Sequence, residues 1–131
     1  MAIWFEFDAE NKILLARIDG VLTDDSLRAA YETATRYAIA TDPRAGIWDT
    51  TSVTEFALSS EFIRSLASRK PIIADPERPR IVVASKPIAF GLFRMFQLTG
   101  EPTRPLLTVV HTLDEALASL GIQSPHFEPL E

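Results

Sequence analysis

The chain has 131 residues, of which 47% are apolar and 24% charged, so we expect one folded domain with a single core. It carries 18 Asp and Glu against 13 Lys and Arg, a formal charge of -5, and it has no basic run, which argues against nucleic-acid binding. The absence of Cys excludes disulfides, thiolate catalysis and Cys-ligated metals.

The N-terminal stretch MAIWFEFDAE lacks the basic and apolar regions of a signal peptide. No later stretch has ~18 uninterrupted apolar residues, the length that a membrane-spanning helix needs. We therefore expect a cytoplasmic protein without a transmembrane segment.

The first half of the chain predicts a hairpin and a helix. Apolar residues alternate at Ile3, Phe5 and Phe7, and a second apolar run from Ile13 to Ile18 ends at Asp19-Gly20, so the two runs are expected to pair as antiparallel strands. Thr23 is a suitable N-cap for an amphipathic helix that extends to about Ala40. Asp24 and Asp25 fall in its first turn, where the helix dipole favours negative charge.

A short apolar run, Ala45 to Trp48, predicts a third strand in the centre of the sheet, which ends at Asp49. A Thr/Ser-rich loop should follow, and then a helix from about Ser59 to Arg69. The later elements are predicted from their apolar periodicity: strand Arg80 to Ser85, helix Pro87 to Leu98, strand Leu106 to Val110 and helix Leu113 to Leu120.

The element order β-β-α-β-α-β-α-β-α predicts an α/β fold with a five-stranded, mixed and mostly parallel sheet and four helices. We expect a single domain over residues 1–121. Residues 122–131 contain two prolines and are predicted to be a C-terminal tail.

Three residues could form a hydrolase site. Asp49 and His111 should lie at the same edge of the sheet, because parallel strands share their carboxyl ends, and Ser59 follows on a helix start. The glycine-flanked nucleophile elbow is absent, however, so a weak hydrolase using Ser59 is the third hypothesis. The alternative is that His111 hydrogen-bonds a neighbouring loop.

Metal and cofactor sites are not predicted. His111 and His126 are the only histidines, and they do not have the spacing of metal ligands. Neither glycine-rich phosphate-binding motif is present.

Ser59 has a structural interpretation and a regulatory one. As an N-cap it would place Leu58 and Ile63 at the positions of a hydrophobic staple. Alternatively, Ser59 or Ser60 is a phosphorylation site at a helix N-terminus, where free N–H groups and the helix dipole stabilise a phosphate.

The strand ending at Asp49, followed by V-x-x-F-x-x-S-S and a helix, resembles the STAS domain of bacterial anti-sigma-factor antagonists. The second half, RIVVASKPIAFGLFRMFQL and LLTVVHTLDEALASLG, is similar to the SpoIIAA-like branch, which is sometimes grouped with the CRAL-TRIO lipid-transfer fold. The resemblance covers Ile3 to Gly121. It implies a bacterial, non-enzymatic module that binds a regulatory protein partner, and a serine in this loop that a partner kinase phosphorylates.

Two positions depart from the phosphorylated Asp-Ser-Ser/Thr-Gly motif of that family, since Leu58 replaces its Asp and Glu61 replaces its Gly. Glu61 would repel a neighbouring phosphate, so no working phosphoswitch is expected. The predicted partner-binding residues are Asp49, Thr50, Ser59, Ser60 and Glu61.

The helix from Ile88 to Leu98 is apolar on more than one face. Phe90, Phe93, Arg94 and Phe96 are therefore candidates for a homodimer surface or for the wall of a pocket that holds an apolar small molecule. The first interpretation fits a regulatory module and the second a carrier of a lipid-like ligand. A third is that Phe90 and Phe93 fill the core.

Overall fold

The computed structural model describes residues 2–75, 77–99 and 106–130. Its elements, in chain order, are β1 (Ala2–Asp8), β2 (Ile13–Thr23), α1 (Asp24–Thr41), β3 (Ala45–Ala57), α2 (Ser60–Ala67), β4 (Arg80–Val83), α3 (Pro87–Thr99), β5 (Leu107–Val110), α4 (Leu113–Ser119) and β6 (Glu128–Leu130).

The described strands form one six-stranded sheet in the order β5-β4-β3-β2-β1-β6. The four strands from β2 to β5 are parallel, and β1 is antiparallel to both of its neighbours. The predicted α/β class, the mixed sheet and the four helices are confirmed. The strand number is not, because residues predicted to be a tail form β6.

Two predicted strand ends are wrong, because β2 and β3 continue as a parallel pair well past their other neighbours. β2 runs through Asp19 and Gly20 to Thr23, and β3 runs through Asp49 and the expected polar loop to Ala57. The pairing register shifts twice, so β3 carries extra residues relative to β2. A bulge adds one residue to a strand without ending it. The two bulges therefore let β3 continue through polar residues that do not follow the regular alternation of a strand.

Apolar clusters lie on both faces of the sheet. Helices α1, α2 and α3 pack on one face around Ile18, Leu22, Val53 and Val82, and α4 packs on the other face around Leu15, Ile47, Ile81 and Val83. Val82 lies between Ile81 and Val83 in β4 and faces the opposite way, as the two-residue period of a strand requires. All four residues of β4 are buried, which explains the apolar run at residues 81–83. The first residue, Arg80, is buried with its guanidinium donating to the carbonyls of Ile73 and Asp75.

The helix starts follow the local sequence. Thr23 caps α1, as predicted, and forms a reciprocal capping box with Ser26. Asp24 and Asp25 follow in the first turn, where their negative charge interacts favourably with the helix dipole.

Candidate functional site

Asp49 lies within β3, opposite Arg17 on β2 and Val83 on β4. The residue is 8% exposed, and its Oδ1 accepts hydrogen bonds from the backbone amide (3.0 Å) and the hydroxyl (2.6 Å) of Thr51. Thr50 is also buried, and its hydroxyl donates to the carbonyl of Val83 at 2.6 Å. Asp49 and Thr50 thus fix the backbone of β3 at the point where its pairing with β4 ends.

Lys86 contacts β3 just beyond that point. Its Nζ donates to the carbonyl of Val53 at 2.7 Å and, more weakly, to that of Thr51 at 3.4 Å. The ammonium therefore satisfies strand carbonyls for which β4 offers no partner. The sequence analysis missed Lys86, because nothing in its local sequence indicates a contact with a strand 33 residues away.

Ser59 is the N-cap of α2, as predicted. Its Oγ accepts a hydrogen bond from the backbone amide of Phe62 at 3.0 Å. The same hydroxyl donates to Oδ2 of Asp24 at 2.9 Å, and the Ser59 amide donates to Oδ1 of Asp24 at 3.0 Å. One carboxylate thus joins the first turn of α1 to the first turn of α2.

The sequence predicted only one of the two helix starts at which Asp24 lies. The sequence placed it in the first turn of α1, where its charge is favourable, but the second helix start that it contacts lies 35 residues further on. Because both helix N-termini carry partial positive charge, the carboxylate stabilises both. A cation–π contact adds a second link, since the Arg28 guanidinium lies 5.0 Å from the centre of the Phe62 ring.

Ser60 and Glu61 are exposed in the first turn of α2, immediately beside this link. We call the residues at the two joined helix starts the α1–α2 surface: Asp24, Asp25, Arg28, Ser59, Ser60 and Glu61. Three of the five predicted contact residues belong to it, whereas Asp49 and Thr50 are buried further back along β3. The predicted set is therefore divided between two places in the fold.

The structure does not bring the three residues of the hydrolase hypothesis together. Ser59 is bonded to Asp24, and Asp49 is bonded to Thr51. The eight residue steps of β3 from Asp49 to Ala57 span roughly 25 Å at the usual rise of a strand. The ring of His111 stacks on that of Phe90, with centroids 4.5 Å apart and planes 4° apart, in place of the expected hydrogen bond to a loop.

The aromatic residues of α3 have different environments. Phe93 and Phe96 are buried in the core between the helices and the sheet, so they are not available as a dimer surface. Phe90 is half-buried under His111, and Arg94 is exposed, where its guanidinium bonds the side chain of Gln97. The exposed apolar residues of α3 are instead Ile88 and Leu98, at 63% and 61% exposure.

Two small apolar cavities lie between the sheet and helices α1–α3. One has a volume of about 70 Å³ and extends under the loop at Ile72, and the other, of about 40 Å³, lies beside Phe93 and Thr50. Tyr31, Trp48, Val82 and Phe96 line both of them. The predicted apolar pocket therefore has a counterpart next to Phe93 and Phe96, although Phe90 does not contribute to it.

Across residues 2–75, 77–99 and 106–130, no three acidic or histidine side chains are grouped as metal ligands would be. Over the same residues, no helix has the length and apolar character that crossing a bilayer requires.

The arrangement of strands and helices matches solved structures. The unphosphorylated anti-sigma factor antagonist SpoIIAA superimposes with a TM-score of 0.64 over 94% of this chain and 100% of its own, at 14% identity. An anti-sigma factor antagonist from Mycobacterium paratuberculosis superimposes with a TM-score of 0.59 over 92% and 95% of the two chains, at 25% identity. The Bacillus cell fate determinant SpoIIAA in its phosphorylated form gives a TM-score of 0.59 over 91% and 99%, at 17% identity.

The chain has the STAS fold of the anti-sigma factor antagonists. The resemblance seen in the sequence around Asp49 and in the second half of the chain is confirmed at the level of that fold. No protein-family model matches the sequence, and no curated protein matches it. The STAS fold of this chain is thus recognisable from its three-dimensional arrangement, at 14–25% identity to these three structures.

Proposed function

We propose that this chain is a non-enzymatic regulatory module that binds another protein through the α1–α2 surface. The observation that carries the proposal is the bridge from Asp24 to Ser59, which holds two helix starts together and presents Ser60 and Glu61 on a fixed, exposed surface. The solved structures of the same fold are named as anti-sigma factor antagonists, so the partner proposed here is an anti-sigma factor, met in the cytoplasm.

Ser59 acts in this proposal as a helix cap and not as a phosphate acceptor. Its hydroxyl is engaged with both Asp24 and the Phe62 amide. A phosphate on Ser59 would break the bond to Asp24 and place nearly two negative charges within about 4 Å of that carboxylate. Glu61, in the same helix turn, would add to the repulsion. Partner binding without a phosphoswitch at Ser59 is the arrangement that these contacts support.

The two alternatives have weaker support. A hydrolase would need Ser59 and His111 to meet, and both side chains have other partners. A carrier would need room for its ligand, and cavities of about 70 and 40 Å³ are smaller than the ~150 Å³ engineered cavity that holds one benzene molecule. These volumes favour a packed core over a pocket for an acyl chain.

The test is a binding experiment with the purified chain and the anti-sigma factors encoded in its source genome, measured by isothermal titration calorimetry. We expect one of them to bind, and we expect the charge reversal Glu61→Lys to weaken that binding at least ~10-fold, as loss of a central contact does. The matched control is Arg36→Glu, a charge reversal on an exposed face of α1 that should leave the affinity within about 2-fold.

Two results would contradict the proposal. Either none of the anti-sigma factors binds, or Glu61→Lys binds as tightly as the unmodified chain while Arg36→Glu loses affinity.

A further inference from the structure

The outer edge of β1 is only partly covered. β6 pairs with Phe5, Glu6 and Phe7, whereas β1 begins at Ala2. On that side, the part of the chain that the structure describes provides no strand partner for residues 2–4. An edge that exposes unpaired backbone groups is a template for pairing with another strand.

β6 is a weak cover for this edge. It has only three residues, and its central residue, Pro129, has no N–H, so Pro129 occupies a position that does not bond β1. The hydrogen-bonded positions are therefore those of Leu130 and Glu128, opposite Phe5 and Phe7. Ile3 lies two residues before Phe5, so its N–H and carbonyl point to the same, uncovered side.

The segment that carries β6 is held at few points. We call residues 122–130 the C-terminal segment. Ile122 and Phe127 pack on the apolar cluster under α4, and the Ile122 amide donates to the carbonyl of Leu117 at 3.0 Å. The His126 amide donates to Oδ2 of Asp8 at 3.1 Å, and Leu130 packs beside Phe5 on the opposite face of the sheet. Leu130 remains only half-buried.

The edge of β1 is complementary to itself. An antiparallel pair of β1 strands with Phe5 opposite Phe5 of a second copy places Ile3 of each opposite Phe7 of the other. All three of these side chains lie on the face that packs against α1, so the pair would align apolar residues with apolar residues. Such a pair has twofold symmetry, the commonest arrangement in homodimers.

We propose that the C-terminal segment is a displaceable cover for the edge of β1, and that a second copy of this chain pairs with β1 around Phe5 when the segment is released. With the segment bound the chain is monomeric. When the segment is released, two copies can form a dimer in which one sheet continues across both. This surface is at the β1 end of the sheet, whereas α3, where the sequence placed the dimer contact, packs near β5 at the other end.

The test substitution is Leu130→Asp, which places a charge where Leu130 packs beside Phe5. The readouts are the mass in solution, by light scattering after gel filtration, and the hydrogen exchange of the Phe5 and Phe7 amides. We expect a monomer for the unmodified chain and a concentration-dependent, about twofold larger mass for Leu130→Asp. At low concentration, where the variant is monomeric, its Phe5 and Phe7 amides should exchange faster.

Two further variants isolate the edge. Adding Ile3→Pro to Leu130→Asp removes an N–H that faces outward and should restore the monomer without disturbing the pairing of β1 with β2. Leu98→Asp makes the same change at an exposed leucine of α3 and should leave the chain monomeric. His126→Pro removes the amide that bonds Asp8 and the exposed ring that lies 3.3 Å from the Glu128 carboxylate, so it gives a second route to release if Leu130→Asp fails to fold.

Three outcomes would overturn the proposal. One is a variant that stays monomeric although its Phe5 and Phe7 amides exchange quickly. Another is continued protection of those amides in both Leu130→Asp and His126→Pro. The third is a dimer that persists when Ile3→Pro is added to Leu130→Asp, or a dimer that Leu98→Asp alone produces.

Discussion

Two aspartates, one at each end of β2, both accept hydrogen bonds from backbone amides, but they differ in burial. Asp8 faces the start of β2, is fully buried, and accepts hydrogen bonds from the amides of Glu10, Asn11 and His126 and from the Asn11 side chain. Asp24 follows the end of β2, is half-exposed, and accepts two bonds from Ser59. Water can replace the partners of Asp24 but not those of Asp8, so burial decides how much each carboxylate contributes to stability.

The largest effect should come from Asp8→Ala. The substitution leaves backbone amides without acceptors in a region that water reaches poorly, and we expect a loss of about 2–4 kcal/mol in the free energy of unfolding. Urea unfolding followed by circular dichroism would measure it. Asp19→Ala is the matched control, since Asp19 also accepts a backbone amide, that of Ala2, but at an exposed site. Equal losses in the free energy of unfolding for the two variants would mean that burial does not determine how much each carboxylate contributes.

The sequence predicted what depends on neighbours in the chain. The alternation at Ile3, Phe5 and Phe7 indicated β1, and Thr23 and Ser59 indicated helix caps, because each of these features involves residues only a few positions apart. The STAS-like order of elements followed from the same local patterns.

The features that the sequence did not predict depend on distant residues. β3 continues through DTTSVTEFA because β2 pairs with it and two bulges absorb its polar residues, and no periodicity within that stretch shows this. β6 exists because β1 offers it an edge. Half of the candidate site was missed for the same reason, since Asp24 reaches Ser59 from a separate helix.

A smaller effect is expected at Ser59, the partner of Asp24. Ser59→Ala removes the N-cap acceptor and one bond to Asp24, and should cost about 1 kcal/mol, the usual value for an N-cap serine. Ser60→Ala, one position later and exposed, should change the free energy of unfolding by less than about 0.5 kcal/mol. The same urea titrations compare them. If Ser60→Ala lowered the free energy of unfolding as much as Ser59→Ala, the stabilising role of Ser59 as the helix cap would be contradicted.

The smallest effect concerns the charge of Asp8. Burial raises the pKa of this carboxyl, but hydrogen bonds from the Asn11 side chain and from the amides of Asn11, His126 and Glu10 outweigh burial and leave the pKa below its ordinary value of 3.8. A lowered pKa means that the folded state binds the proton less readily than the unfolded state. The resulting stability is complete above 3.8 and is lost as the pH falls through the folded pKa. Because burial and hydrogen bonding oppose each other, the net contribution is modest.

The comparison with Asp8→Asn isolates this contribution, because every other carboxyl titrates in both proteins. We expect the unmodified chain to exceed Asp8→Asn in free energy of unfolding by a constant amount from about pH 7 to about pH 5, and that difference to shrink as the pH falls toward about 3. Urea titrations at each pH would follow it. A difference that stays constant to the lowest pH would show that neutral hydrogen bonds, which Asn can partly replace, hold the C-terminal segment to Asp8. A shrinking difference would assign part of that hold to the carboxylate charge, and acid would then loosen the cover over β1.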